Sequence, residues 1–160
     1  LQQIQPKVVV IANLNSLYVK EPLLGWSPED TQLIWGSELG RTLSGLSRLN
    51  TQVLIVQPPP RFNYDLRYDL SLLWPNSVKE SRGDVVSRRE NINEIEENAI
   101  VGFDFVRPIL NFTDEFCNAD ICDPKISNKF MFEDNDHLSV AGSIFVSSVI
   151  ERAISEALAR

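Results

Sequence analysis

Histidine, cysteine and long apolar runs are scarce in this sequence: its 160 residues include one His and two Cys. A structural zinc site takes four ligands, so two thiolates and one distant imidazole leave it one ligand short, and we expect no metal site. No apolar run approaches the roughly 18 residues that a membrane-spanning helix needs. The start of the chain also lacks the basic, apolar and small-residue series of a secretory signal peptide.

Positively charged residues are outnumbered: the chain has 15 Lys and Arg residues and 22 Asp and Glu residues, which gives a formal net charge of −7. Because phosphate contacts need Lys and Arg, this balance argues against nucleic-acid binding. A length of 160 residues suits one domain, residues 1–160, with a core of its own. The first residue is Leu rather than an initiator Met, so we expect the C-terminal portion of a longer domain or protein.

Two short apolar runs and the helical pattern between them predict a parallel sheet. The runs KVVVIANL (7–14) and VLIV (53–56) are rich in β-branched residues, which is typical of strands buried on both faces. Between them, apolar residues at helical spacing predict an amphipathic helix over about 30–49: Trp35, Leu39, Leu43 and Leu46. Strand, helix and strand in this order form the unit that builds parallel sheets.

The second half of the chain predicts further elements of an α/β fold. Apolar residues on one face predict a helix over about 84–101: Ile92, Ile95 and Ala99. The run FDFVRPIL (103–110) is predicted to be a third strand. Ser139 is a candidate N-cap of a closing helix marked by apolar residues: Val140, Ile144, Ile150, Ile154 and Leu158. The whole pattern predicts an α/β fold, a three-layer α/β/α sandwich with a mostly parallel sheet.

The two cysteines lie close together in CNADIC, with four residues between Cys117 and Cys122. A disulfide can span the small loop between them, and the alternative is a pair of buried free thiols. A disulfide would place the domain in an oxidising compartment.

The one histidine, His137, lies in FEDNDHLSVAG, three residues after Asp134 and just before the predicted closing helix. A histidine that acts as a general base needs a carboxylate to fix its tautomer and to stabilise the imidazolium. A D-x-x-H turn ahead of a helix can place both side chains on one side of a loop, and catalytic groups of open α/β sheets gather at the carboxyl ends of the strands. The pair is therefore a candidate catalytic site; the alternative is a surface or half-buried histidine beside a charged turn.

Four stretches of the sequence, in this order, resemble one known family: VVVIANLNSLY, VLIVQPPPRFNYDL, CNADIC and DNDHLSVAGS. They look like the SGNH-type serine hydrolases. More narrowly, they resemble the extracytoplasmic SGNH domain fused to the C-terminus of type 3 membrane acyltransferases, which O-acetylate cell-surface polysaccharides. The D-x-x-H-L-S block is the specific part of the likeness. The resemblance implies the SGNH-hydrolase, flavodoxin-like form of the α/β sandwich.

The resemblance implies a role for each residue of the histidine block. His137 is the general base that activates a serine and later protonates the leaving alkoxide. Asp134 orients His137. Asp136 is a turn residue, and it is the alternative candidate for the carboxylate that orients His137. The next positions have structural roles, in core filling, helix capping and close packing of the helix on the sheet: Leu138, Ser139 and Gly142.

The resemblance also places a polar oxyanion-hole residue, commonly Asn, just after the strand VVVIA. Asn13 and Asn15 both lie there, with Asn13 slightly favoured. An Asn amide donates a hydrogen bond to the tetrahedral oxyanion, and loss of one such donor typically costs roughly 10²–10³ in rate. The alternative is that either Asn satisfies backbone groups in a βα turn.

The nucleophile of such an enzyme is missing from these residues. SGNH enzymes carry their serine in a Gly-Asp-Ser block on the first strand, whereas the one Gly-Asp here, Gly83-Asp84, is followed by Val85. Nothing local activates the other candidate serines: Ser16, Ser37 and Ser139. A sheet without its first strand would expose an unpaired edge, which is an aggregation hazard. We therefore expect the serine and the first strand to lie upstream of Leu1. The alternative is a degenerate relative of the family, or one that uses a substitute for the serine.

The resemblance implies an O-acyltransferase that transfers acetyl groups from an acyl donor to a cell-surface glycan or lipopolysaccharide-type acceptor. This reaction needs no cofactor. It implies an extracytoplasmic domain, periplasmic or at the cell surface, tethered to an N-terminal membrane acyltransferase domain outside this chain. A carbohydrate O-acetyl esterase is the first alternative, because it shares the acyl-enzyme and differs only in the acceptor. The second alternative is a non-catalytic glycan-binding domain with aromatic rings for stacking on sugars: Phe62, Tyr64, Tyr68 and Trp74.

Overall fold

The computed structural model describes residues 4–13, 27–63 and 79–159, and the chain divides into two compact units. Unit 1 contains residues 1–57, 89–110 and 153–160, and unit 2 contains residues 58–88 and 111–152. Each unit is therefore assembled from separate stretches of the chain. Whether all 160 residues form a single domain stays a prediction.

A parallel pair of strands forms the centre of unit 1. Strand β1 (Val8–Ala12) pairs with β2 (Gln52–Val56) in a register that runs from Val8 opposite Gln52 to Ala12 opposite Val56. The predicted third strand follows β2 only in part: Val106 and Leu110 form isolated parallel bridges to Val53 and Val56. Pro108 lies between the two bridges and limits a regular ladder there, because proline has no N–H to donate.

The first helix, α1 (Pro28–Leu46), confirms the helical pattern between the two strands. Ser27 caps it through a hydrogen bond from the Asp30 N–H, and Pro28 is suited to the first turn because that turn's N–H groups lack helical partners. The apolar face packs on the sheet in a core that includes fully buried Leu43 and Val53. Burying a leucine of this kind contributes about 2 kcal/mol relative to leaving it in water.

The predicted helix over 84–101 is two helices rather than one. Helix α2 (Arg82–Ser87) belongs to unit 2, and α3 (Glu90–Ile100) belongs to unit 1. The break falls at Arg88 and Arg89, and Arg89 adopts φ −128° and ψ 0°, outside the helical region. Neither Gly nor Pro marks this break in the sequence.

Unit 2 is made of short strands and turns together with most of the last helix. Strand β3 (Glu80–Ser81) pairs antiparallel with β4 (Ile121–Cys122), and β5 (Lys125–Ile126) pairs antiparallel with β6 (Lys129–Phe130). A single helical turn, α4 (Thr113–Phe116), precedes β4. The closing helix, α5 (Val140–Leu158), is confirmed and continues from unit 2 into unit 1.

Only two of the five apolar residues that marked the closing helix, Ile150 and Ile154, are half-buried in the structure. Val140, Ile144 and Leu158 are exposed, whereas Val146 and Ala157 are buried. In the described parts of the chain each named sheet has two strands, so a three-layer sandwich with a mostly parallel sheet is not confirmed. Among those same residues, no helix combines the length and the apolar character needed to cross a bilayer.

Candidate catalytic site

The candidate site is a loop of residues 133–138, called here the histidine loop, between β6 and α5. Its ends are tied together: the Glu133 N–H donates to the His137 carbonyl over 2.8 Å, and Phe132 forms an antiparallel bridge with Leu138. Inside it, Asp134 Oδ1 accepts the backbone N–H groups of Asp136 (3.0 Å) and His137 (2.8 Å). An Asp side chain that bonds its own backbone two and three residues on favours a turn here.

Asp134 and His137 are brought together as the sequence predicts. The Nδ1–H of His137 donates to the Asp134 carboxylate, with distances of 2.9 Å to Oδ2 and 3.0 Å to Oδ1. The Asp134 side chain is only 12% exposed, whereas the His137 side chain is 69% exposed. The arrangement is thus a nearly buried carboxylate that holds an accessible imidazole by its Nδ1 atom.

The electrostatics of the pair favour an ionised carboxylate and a more basic imidazole. Burial raises the pKa of Asp134, but the backbone N–H groups of Asp136 and His137 and the His137 ring outweigh it and lower the pKa from 3.8 to about 2. The hydrogen bond to Asp134, and then the charge of that carboxylate, raise the pKa of His137 above its ordinary value of 6.5. Chemically, such a pair can accept a proton on Nε2 and stabilise the resulting imidazolium.

Asp136 is a second carboxylate beside the imidazole of His137. Its Oδ1 lies 3.2 Å from His137 Nδ1, and its Oδ2 lies 3.8 Å from Nε of Arg61. Asp134 makes the shorter contacts and holds the backbone of the turn, which favours it over Asp136 as the orienting carboxylate. Ligand atoms of Asp134, Asp136 and His137 lie within 4.8 Å of one another and could approach a metal ion together. The same atoms already bond each other and the backbone, as a histidine–carboxylate pair requires.

Ser139 and Gly142 fix the loop to the start of α5. Ser139 Oγ accepts the Gly142 N–H over 3.1 Å, which confirms Ser139 as the cap, and its hydroxyl donates to the Phe130 carbonyl over 2.8 Å. A Cβ atom at Gly142 would lie 1.9 Å from the Met131 carbonyl oxygen. Close packing at Gly142 was predicted correctly, but its partner is this backbone segment rather than the sheet. Leu138 is half-buried beside it.

The other predicted site residues have different outcomes. Asn13 follows β1 directly and is exposed, but it belongs to unit 1, and its role in an oxyanion hole stays a prediction. Asn15 lies outside the described residues. Cys117 and Cys122 are at disulfide distance, with sulfur atoms 1.96 Å apart, at the base of a tight antiparallel turn.

Sequence reasoning missed the residues that support the histidine loop from another part of unit 2. Phe62 was a candidate sugar-stacking ring, yet it is 1% exposed and packs on Phe132, so it is not available to a glycan. Its N–H donates to the Asn135 carbonyl over 2.8 Å. The other three candidate rings lie outside the described residues: Tyr64, Tyr68 and Trp74. Only the proline run before Arg61 signals an ordered segment here.

Comparisons with known proteins identify the fold and the family of the chain. The chain is similar to the periplasmic domain of a lipopolysaccharide acetyltransferase from Salmonella ser. Paratyphi A, with a TM-score of 0.63 and 16% sequence identity. The match covers 96% of this chain and 59% of that one, and at this identity it shows the SGNH fold alone. No curated protein sequence matches the chain significantly. A family model described as an SGNH domain fused to AT3 domains matches residues 1–152, and the chain therefore belongs to that family.

Proposed function

We propose that this chain supplies the histidine and the aspartate of a serine-dependent O-acyltransferase. The single observation that carries the proposal is the pair of Asp134 and His137: a nearly buried carboxylate held by two backbone N–H groups, bonded to Nδ1 of an exposed imidazole. Membership of the SGNH family supports it. The stretch DNDHLSVAGS, which contains the pair, also resembles the D-x-x-H-L-S block of that family.

In the proposed mechanism, Nε2 of His137 takes the proton of a serine hydroxyl while the serine oxygen attacks the carbonyl carbon of the acyl donor. The tetrahedral intermediate collapses, the leaving group departs with the proton from His137, and a serine ester remains. An acceptor hydroxyl then loses its proton to His137 and attacks this ester, and the serine recovers that proton. Asp134 stabilises the imidazolium in both halves of the reaction.

The serine of this mechanism belongs, in our proposal, to a Gly-Asp-Ser block outside the 160 residues, which contain no such block. The acceptor we propose is a hydroxyl of a cell-surface glycan or lipopolysaccharide, and the transferred group is acetyl. The structural neighbour supports this choice, since it is the periplasmic domain of a lipopolysaccharide acetyltransferase. Asn13 is the proposed oxyanion donor in this chain, with Asn15 as the second candidate.

We further propose an extracytoplasmic location and a membrane acyltransferase domain as the partner. The family is that of SGNH domains fused to AT3 domains, and the neighbour is a periplasmic domain. The cysteine pair at disulfide distance is consistent with an oxidising compartment. Transfer across the envelope would then pass from the membrane domain to this domain and on to the glycan.

The test is acetyl transfer to purified surface glycan by the full-length protein and by single variants. His137→Ala is expected to lower kcat by roughly 10²–10⁴-fold, the usual contribution of a general base. Asp134→Asn is expected to cost much more than Asp136→Asn, because Asp134 makes the shorter contacts to Nδ1 and holds the turn. Equal activity of His137→Ala and the wild type would refute the proposal, and release of free acetate without glycan ester would identify an esterase instead.

A further inference from the structure

Residues 61–63 are held at both ends by one ion pair. The Arg88 guanidinium donates from Nη1 to the Arg61 carbonyl over 2.8 Å, and the Glu80 carboxylate accepts the backbone N–H of Asn63. Arg88 Nη2 and Glu80 Oε2 are bonded to each other, with side chains only 21% and 11% exposed. Two charged side chains, both largely withdrawn from water, thus fix a three-residue stretch of backbone.

The middle residue of that stretch carries the contact to the histidine loop. The Phe62 N–H donates to the Asn135 carbonyl over 2.8 Å, two residues before His137. The Phe62 ring packs edge-on against Phe132, with ring centroids 5.0 Å apart, and Phe132 is the bridge partner of Leu138. The stretch 61–63 therefore contacts the loop at Asn135 and, through Phe132, at its base.

The chemistry of the ion pair suits a rigid support. Hydrogen bonds that involve a charged donor or acceptor are stronger than neutral ones. A planar guanidinium can serve a carboxylate and a carbonyl at once with fixed geometry, which a lysine ammonium does not reproduce. Removal of either partner leaves the other charge largely buried without compensation, so the backbone around residues 61–63 is expected to relax.

We propose that Arg88 and Glu80 are positioning residues for the acyl transfer: by fixing residues 61–63 they hold the histidine loop, and with it His137, in its catalytic place. Neither side chain is among the hydrogen-bond partners of His137 in the described structure, so they act through Phe62. This inference rests on the function proposed above and adds to it two residues that lie 57 and 49 positions before His137 in the chain.

Unit 2 offers a matched control in Arg82. Its guanidinium also bonds one carboxylate, that of Asp114, and one backbone carbonyl, that of Asn118 over 3.1 Å. Those partners belong to the turn around α4 and β4 rather than to residues 61–63. Arg82→Met therefore removes the same kind of interaction from the same unit without touching the support of the histidine loop.

The experiment compares Arg88→Met, Glu80→Gln and Arg82→Met by acetyl-transfer kinetics of the full-length protein and by titration of the His137 ring. The ring is followed by NMR of the full-length protein, in which the signals of His137 are identified by their loss in His137→Ala. Thermal unfolding shows which variants remain folded. Glu80→Gln is the milder change, because its amide oxygen can still accept the Asn63 N–H.

We expect Arg88→Met and Glu80→Gln to lower kcat by roughly tenfold to a hundredfold with KM within about twofold, as misplacement of a catalytic group does. The titration midpoint of His137 should move down toward 6.5 as its contact with Asp134 loosens. Arg88→Lys should recover part of kcat, and Arg82→Met should change neither kcat nor the titration.

An unchanged His137 titration and an unchanged kcat in folded Arg88→Met and Glu80→Gln would overturn the inference. Equal losses in Arg82→Met would also overturn it, because they would show a general effect on stability. Failure of the proposed function is distinguishable: wild-type protein would then transfer no acetyl group, while the NMR titration would still report whether the pair positions His137.

Discussion

At the scale of single residues, the base strength of His137 follows from what surrounds its ring. Asp134 bonds Nδ1, and two further carboxylates, Asp136 and Glu133, add weaker attraction to the imidazolium. The guanidinium of Arg61 lies 3.8 Å from the Asp136 carboxylate. Among the described residues it is the one cation in contact with these three carboxylates. The balance is negative, which favours the protonated ring and raises its pKa.

This balance predicts the pH dependence of catalysis. The base must be neutral to take the serine proton, so kcat/KM should rise with pH and level off above a midpoint that lies higher than 6.5. Asp134→Asn removes the main cause of the raised pKa, so its midpoint should fall toward 6.5 while the plateau drops. The check is the rate of acetyl transfer from pH 5 to 9 in both proteins.

A midpoint at or below 6.5 in the wild type, or an upward shift in Asp134→Asn, would contradict this account of the pair. Glu133→Gln serves as the control, since Glu133 is the last of the causes that raise the pKa of His137. Its midpoint should move much less than that of Asp134→Asn.

The local part of the site could be predicted from sequence, and the distant part could not. Asp134 and His137 are three residues apart, so a single turn brings them together whatever the rest of the fold does. Phe62 and Asn135 are 73 residues apart, and no periodicity links them. A large apolar ring after a proline run is equally suited to sugar stacking and to core packing, and only the structure shows that Phe62 is buried.

At the scale of elements, the start of α5 is packed closely against the segment before the histidine loop. Ser139 bonds the segment before the histidine loop through both its N–H and its hydroxyl, to Met131 and Phe130. Gly142, one turn later, packs on the Met131 carbonyl. The helix terminus, the loop and the preceding strand are thus joined through two small residues.

Gly142→Ala is expected to destabilise the fold by roughly 1–3 kcal/mol, because the added methyl group would overlap the Met131 carbonyl and force the backbone to shift. Urea unfolding of the 160-residue chain measures the effect. Gly40→Ala and Gly45→Ala in α1 are matched controls, since no atom lies within 4 Å of the new methyl group. Each should stabilise by roughly 0.5–1 kcal/mol through helix propensity.

A Gly142→Ala variant as stable as the wild type would show that the helix can move off Met131 at little cost. The packing described for α5 would then be wrong. Loss of stability in the α1 controls as well would indicate that helix glycines matter for a reason other than close approach.

Among the helices and strands too, features set by the local sequence pattern could be predicted, whereas features set by distant contacts could not. The β-branched runs of β1 and β2 and the spacing of Leu39, Leu43 and Leu46 reflect a core face, so these elements were predicted closely. The break between α2 and α3 falls at Arg88 and Arg89, and the Arg88 side chain bonds a carbonyl 27 residues earlier, a contact that no local pattern reveals. The exposed face of α5, with Val140 and Ile144, also follows from tertiary packing rather than from apolar residue type.

At the scale of the whole molecule, charge and family limit the partners. The formal net charge of −7 does not attract polyanions, so an anionic acceptor would have to be bound by local contacts rather than by the overall field. The family of SGNH domains fused to AT3 domains indicates a membrane acyltransferase domain as the partner domain. The match covers 59% of the length of the structural neighbour.

The central claim is that His137 serves as the base for a serine nucleophile that these 160 residues do not contain. The most direct measurement is the intact mass of the full-length protein before and after a fluorophosphonate serine probe, for the wild type and for His137→Ala. The account predicts a mass above the 18.1 kDa of this chain and a single adduct whose formation slows on the order of 100-fold or more in His137→Ala. A mass of 18.1 kDa without an adduct, or equal labelling of both proteins, would contradict it.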